Sequence, residues 1–180
     1  VGLVIGFTAL LAITNPSWGW GFFAHKLIHR HAIQQLPMPL QIFYLSVADS
    51  VIEKAIDPDV RRKTDAGEQW HHYIDIDHYG KYPFRELPRE YATAAAKFSA
   101  DTLLAYGDSP WHLDRVLAKL SEAMRAKDRR TIVQLSADLG HYVADLHVPV
   151  PTALNYDGQL SGNRGIHGRF EAAMIERFSD

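Results

Sequence analysis

At 180 residues the chain is sized for one domain with a sizeable core, and its 47% hydrophobic and 22% charged content reads as globular rather than disordered. A formal net charge of −2 argues against a protein that holds nucleic acid by bulk electrostatics, and the absence of cysteine excludes disulfides, thiolate metal sites and cysteine nucleophiles together. Ten histidines are the compositional outlier.

Val1 to Ile13 form an apolar, uncharged run, followed by Asn15, Pro16, Ser17, Trp18 and Gly19. This is the pattern of a secretory h-region and c-region, and Ser17 and Gly19 are spaced as a signal peptidase requires, so cleavage is expected before Trp20. The alternative is a short membrane anchor or a core helix, but the run is short for a bilayer and its glycines weaken it as a core helix. The start lacks Met and a basic n-region, so a truncated leader over 1–19 is expected ahead of one domain over 20–180.

FFAHKLIHRHAIQQL, from Phe22 to Leu36, carries a helical apolar stripe at Phe23, Leu27, Ile28, Ala32 and Leu36 that ends at Pro37. His25 and His29 share a face of it, and His31 lies off that face. A second helix is expected from Pro39 to about Ala55. IDPDVRRKTDAGEQW then reads as a charged loop, and HHYIDIDHYGKYPF, dense in potential ligands, suits a short extended stretch as well as a loop.

Arg89 to Tyr106 is an alanine-rich helix stopped by Gly107. Asp108, Ser109 and Pro110 start the next helix, which runs to about Lys127 with Arg115, Lys119, Glu122 and Arg125 as its solvated face. Asp128 caps a long helix that ends near Asp145. The chain is therefore expected to be all-α.

The last stretch, Gly140 to Glu171, concentrates the chemistry. His141 and Asp145 stand four apart, as do His167 and Glu171, so in helices each pair points its donors along one face. Pro149, Pro151, Asn155, Asp157, Gly158, Gly162 and Gly165 between them supply turns that can fold the second pair back on the first. That spacing suits a metal, and a hydrolytic zinc site is the expectation.

Taken together, WGFFAH (Trp20 to His25), DVRR (Asp59 to Arg62), HYIDID (His72 to Asp77), HYVADLHVP (His141 to Pro149) and HGRFE (His167 to Glu171) make the chain resemble a known superfamily. It is the one uniting zinc-dependent phospholipase C with the single-strand-specific zinc nucleases, and the pieces occur in the family's order over nearly all of 20–180. The resemblance implies a multi-helix, single-domain fold around a cluster of up to three zinc ions. By the same resemblance the free amine and carbonyl of Trp20, with His25 and Asp145, hold one ion, so that processing creates a ligand. The Asp145 carboxylate bridges to a second ion held by Asp59, His72 and His141. Asp57 is a rival for Asp59, which is preferred because it stands three before Arg62.

The third ion falls to His167, Glu171 and a histidine where this chain has Pro151, whose side chain offers no donor. Either that site is weak, or His147 substitutes, or the site is empty. Histidine nitrogens and carboxylate oxygens suit zinc, and ions held a few ångströms apart activate water for in-line attack at phosphorus. Arg62 is the expected partner of a phosphate oxygen, and Asp75 and Asp77 are expected to orient the metal-bound histidines.

The resemblance thus implies a secreted or periplasmic zinc-dependent phosphodiester hydrolase of the phospholipase C type, with Asp59, Asp145 and Arg62 as its catalytic residues. A single-strand nuclease or nucleotidase is the first alternative, and an inactive zinc-binding homologue, raised by Pro151, is the second. The expected substrate is a phospholipid or single-stranded nucleic acid, with no stable nucleic-acid complex and no membrane span in the mature chain. The chain ends at Asp180, soon after Glu171, and a further C-terminal part that shapes the pocket is expected.

Overall fold

A computed structural model describes residues 21–148 and 152–179; the expected leader, Trp20 and Pro151 lie outside the described residues. Every regular element among them is helical, in agreement with the all-α expectation. None of these helices is long and apolar enough to cross a membrane.

The frame is an antiparallel pair, α7 (Ser109–Ala126) and α8 (Arg129–Leu146). Pro110 sits in the first turn of α7, where its missing N–H costs nothing. Lys127 closes that helix in the left-handed conformation, φ 55° and ψ 30°, with its N–H bonded to the carbonyls of Ala123 and Met124. Asp128 then opens α8: its Oδ1 accepts the Thr131 amide at 3.1 Å and its Oδ2 accepts the Thr131 hydroxyl at 2.6 Å.

Helix α1 (Phe22–Gln35) packs across α8 and α3 (Ala48–Lys54). Ile33 joins Val47, Val51, Ile52, Leu120, Ala123, Ile132, Val133 and Ala137 in the main apolar core. A second core gathers Ile74, Tyr79, Ala94, Leu103 and Trp111. The first turn of α1 lies beside the last turns of α8, where the His25 ring stacks on that of His141 with centroids 3.8 Å apart.

Two expected helices are each divided in the structure. The Pro39–Ala55 helix is two, α2 (Met38–Leu45) and α3. Arg129 Nη2 donates to the Ser46 carbonyl at 3.1 Å, and the Ser46 hydroxyl donates to Phe43 O at 2.6 Å; these side-chain bonds compete with the helix ladder. The Arg89–Tyr106 helix divides into α5 (Tyr91–Phe98) and α6 (Ala100–Ala105) at Ser99, whose φ is 72° and whose hydroxyl accepts the Thr102 amide.

The charged loop after Ile56 holds α4 (Asp57–Arg61), with Pro58 and two aspartates in its first turn, and a 3-10 turn over Glu68–His71. HHYIDIDHYGKYPF is not extended; it contains a second 3-10 turn, Ile76–Tyr79.

The C-terminal segment is helical from Ile166 to Phe178: α9 (Ile166–Gly168), a wide π turn (Arg169–Met174) and α10 (Ile175–Phe178). It lies against the start of α1, where the Gly21 amide donates to Glu171 O at 3.3 Å and a Cβ on Gly21 would stand 3.0 Å from Ala172 Cβ.

Candidate metal centre

His25 lies in the first turn of α1, Asp59 in α4, His72 just after the Glu68–His71 turn, and His141 and Asp145 one turn apart in α8. The fold gathers all five. His25, His72, His141 and Asp145 are fully buried, and the Asp59 side chain retains 11% exposure.

The Asp145 carboxylate divides its oxygens between two groups of donors. Oδ1 stands 3.4 Å from His25 Nε2, while Oδ2 stands 3.0 Å from His72 Nδ1 and 3.3 Å from His141 Nε2. Asp59 Oδ1 lies 3.8 Å from His72 Nδ1 and 3.9 Å from His141 Nε2. His25, His141 and Asp145 form one set able to hold a metal ion, and Asp59, His72 and His141 form another. The His141 ring is held by its Nδ1–H, which donates to Ala55 O at 2.8 Å and leaves the Nε2 lone pair facing the donors.

His167 and Glu171 are also buried, with Nε2 and Oε2 2.5 Å apart, and His167 Nδ1 lies 3.2 Å from Tyr156 O. Burial raises the Glu171 carboxyl above its usual range against the opposing His167, with the Asp145 and Asp59 charges adding to the rise.

The polar atoms here are poorly satisfied. Among the described residues, His25 Nδ1 and Nε2, His72 Nε2, Asp145 Oδ1 and Glu171 Oε1 are buried without a hydrogen-bond partner, and Glu171 Oε2 has only the close approach of His167, out of hydrogen-bond geometry. Only Tyr79 Oη and Ser109 Oγ share that condition elsewhere. Buried polar atoms are normally paired, so this concentration fits donors arranged for a cation.

Protonation follows the same geometry. Burial opposes charge on Asp145, but the His141, His25 and His72 rings hold it well below the carboxylate range. Burial also opposes a proton on His72, yet Asp145 and Glu68 push it up to about 9. Burial and the facing His141 push His25 down.

His29, which shares the α1 face with His25, is buried but takes no part; its Nδ1 lies 2.7 Å from His25 O and its Nε2 3.0 Å from Ala137 O. Asp57 lies apart from the donors, accepting from Lys54 at 3.3 Å and Gln134 at 3.1 Å. Arg62 Nη1 donates to Asp59 Oδ1 at 3.1 Å. His147 is exposed, with its Nδ1 2.7 Å from Val143 O, and does not enter the group.

Asp77 does not orient a histidine as expected; its carboxylate accepts the Leu154 amide at 3.0 and 3.3 Å. Burial and the neighbouring Asp77 raise Asp75 to about 6. The carboxylate beside His72 is instead Glu68, whose Oε1 lies 3.6 Å from His72 Nε2. Glu68 sits four residues before His72, an i,i+4 spacing that could have revealed it.

A third group, His71, Asp108 and His112, also brings ligand atoms together. Here Asp108 already has its partners: His71 Nδ1 at 2.6 Å on one oxygen and Arg115 Nη2 at 2.6 Å on the other. The His71 and His112 rings stack at 3.6 Å, and burial with the His71 charge pushes His112 down to about 4. With a guanidinium in place, this is a satisfied network joining the turn before His72 to α7.

Comparison of the chain with family models, with curated proteins and with solved structures finds no match. The residues themselves define a buried, mixed histidine and carboxylate centre able to hold metal ions in an all-α chain.

Proposed function

We propose that the chain is a zinc-dependent phosphodiester hydrolase of the phospholipase C type, working outside the cytoplasm. The observation that carries the reading is the buried Asp145 carboxylate with one oxygen toward His25 and the other toward His72 and His141. A carboxylate so divided suits two cations held side by side, and imidazole with carboxylate is a donor set that zinc accepts.

In this reading Trp20, His25 and Asp145 hold one ion, and Asp59, His72, His141 and Asp145 hold a second. His167 and Glu171 hold a third more weakly, since Pro151 gives it no side-chain donor. Bound there, zinc would supply Lewis acidity toward phosphoryl oxygens and lower the pKa of water enough for it to lose a proton near neutral pH and become a nucleophile for phosphorus. The chain's residues do the rest. Ala55 O fixes the His141 tautomer, and Asp145 sets the spacing of the two groups. Asp59, the most exposed of these donors among the described residues, holds the Arg62 guanidinium at 3.1 Å, where its fork would meet a phosphate oxygen.

The test is hydrolysis of phosphatidylcholine beside single-stranded DNA, by protein beginning at Trp20, with and without a chelator. Metal-dependent cleavage of the lipid supports the reading, and preference for DNA transfers it to the nuclease alternative. Activity that survives complete metal removal overturns it. Failure on both substrates with zinc bound favours the inactive homologue that Pro151 raises.

A further inference from the structure

His72 is buried on all sides, and its two nitrogens face different surroundings. Nδ1 lies 3.0 Å from Asp145 Oδ2, 3.1 Å from His141 Nε2 and 3.8 Å from Asp59 Oδ1, so it faces the donors. Nε2 has no hydrogen-bond partner, and Glu68 Oε1 stands 3.6 Å from it, just beyond bonding distance. A neutral imidazole that gives its Nδ1 lone pair to a cation must carry its proton on Nε2. That proton needs an acceptor in a place closed to water.

Glu68 is held ready for this. Arg61 Nε donates to Oε2 at 3.0 Å, Arg61 Nη2 to Oε1 at 3.4 Å, and the Tyr142 hydroxyl donates to Oε1. The same guanidinium donates to Asp138 Oδ1 at 3.1 Å and to the Tyr142 hydroxyl oxygen at 3.1 Å. Each brace sits close in sequence to a donor: Arg61 follows Asp59, Glu68 precedes His72, and Asp138 and Tyr142 flank His141. The network thus ties α4, the Glu68–His71 turn and α8 together behind the donors.

The geometry points to Glu68 as the positioning residue of the centre: on metal binding, His72 Nε2–H donates to Glu68 Oε1. The carboxylate thereby fixes the tautomer with Nδ1 toward the metal and strengthens His72 as a ligand. It also accounts for Arg61, whose fork is spent on Glu68 and Asp138 and is not offered to substrate. This inference rests on the metal-binding part of the proposed function and adds the residue that sets its affinity.

The test measures zinc affinity by competition with a chromophoric chelator for the wild type, E68Q and Y142F. Glu68→Gln is isosteric and should weaken zinc binding by about 10- to 100-fold, the range for lost partners of metal-bound histidines. Tyr142→Phe removes a brace but keeps the carboxylate, so it should weaken binding less. Equal losses in the two variants would mean that the network only braces the fold, and an unchanged E68Q would overturn the assignment outright.

A second measurement does not depend on the variant folding. Nitrogen-15 histidine spectra of the zinc-loaded wild type should show His72 protonated at Nε2, with that proton shifted downfield by its carboxylate partner; metal at Nε2 would overturn the inference. A wild type that takes up no zinc would sink the proposed function itself, and this inference with it.

Discussion

Gly140 lies inside α8, where alanine would ordinarily stabilise a helix by about 1 kcal/mol. Here a Cβ would stand 2.5 Å from His29 Nε2 and 3.0 and 3.1 Å from the ring carbons Cε1 and Cδ2. The ring is buried, with its two nitrogens 2.7 Å from His25 O and 3.0 Å from Ala137 O and its N–H donated to one of them, so it cannot swing aside without loss. Overpacking of about 1–3 kcal/mol plus a lost bond of about 1 kcal/mol outweighs the helix gain, leaving Gly140→Ala roughly 2 kcal/mol less stable. For a domain of this size that lowers Tm by about 4–8 °C, read by calorimetry on metal-free protein. Because His25 lies one turn before His29, the same displacement of α1 should also weaken metal binding. The double variant H29A/G140A should lose much less than the two single losses added together, since the Cβ then meets no ring. A Gly140→Ala protein as stable as its parent would refute the reasoning.

Further outcomes follow from the same geometry. Asp145→Asn should empty both donor groups of zinc by elemental analysis, whereas His25→Ala should deplete the one on its own side and leave the other. Asp59→Asn should reduce bound zinc, while Asp57→Asn, which loses only a partly exposed pair with Lys54 and a bond from Gln134, should cost about 1 kcal/mol or less by urea titration and leave the metal content unchanged. Pro151→His should raise both zinc content and phosphodiesterase activity; no gain would mean that the third position is filled by another donor. For the metal-free protein, the unfolded chain protonates His112 near 6.5 but the folded chain only near 4, so stability falls as pH drops through that window. Asp108, held below 3.8 against its burial by His71 and Arg115, extends the loss below that value. His72 acts in the opposite sense, its contribution present below 6.5 and lost as pH rises through about 9, so urea midpoints against pH should pass through a maximum and His112→Gln should flatten the acid side.

Long elements were legible because their periodicity and caps act locally. Pro110, Lys127 and Asp128 mark the turn between α7 and α8 within a residue or two. The helix breaks at Ser46 and Ser99 were not, because one depends on Arg129, distant in sequence, and the other on a positive φ that no pattern announces. α4 is too short to show a period, although Asp57, Pro58 and Asp59 are good first-turn residues. At the centre, the i,i+4 spacings of His141 with Asp145 and His167 with Glu171 could be read directly. The different fates of His25 and His29 could not, since they share a face and differ only in tertiary partners, Asp145 and His141 for one and Ala137 O and Gly140 for the other. The i,i+4 spacing of Glu68 to His72 is a weak signal, because a lone glutamate in a charged loop is usually solvated and its burial requires Arg61 and Tyr142 to converge on it.

The charges at the centre explain why these histidines and carboxylates need something more than one another. The three imidazoles around Asp145 hold it ionised without pairing its Oδ1, and that arrangement favours a proton on His72 while burial and His141 disfavour one on His25. Glu171 meets the opposite pressure: burial and the Asp145 and Asp59 charges favour its neutral form, although His167 stands 2.5 Å away. Without a cation, then, neighbouring groups compete for protons in a space closed to water. His25, His141 and Asp145, or Asp59, His72 and His141, could hold a cation, which would accept their lone pairs and offset the carboxylate charge. A cation held there would displace protons from these groups, so its uptake would depend on pH.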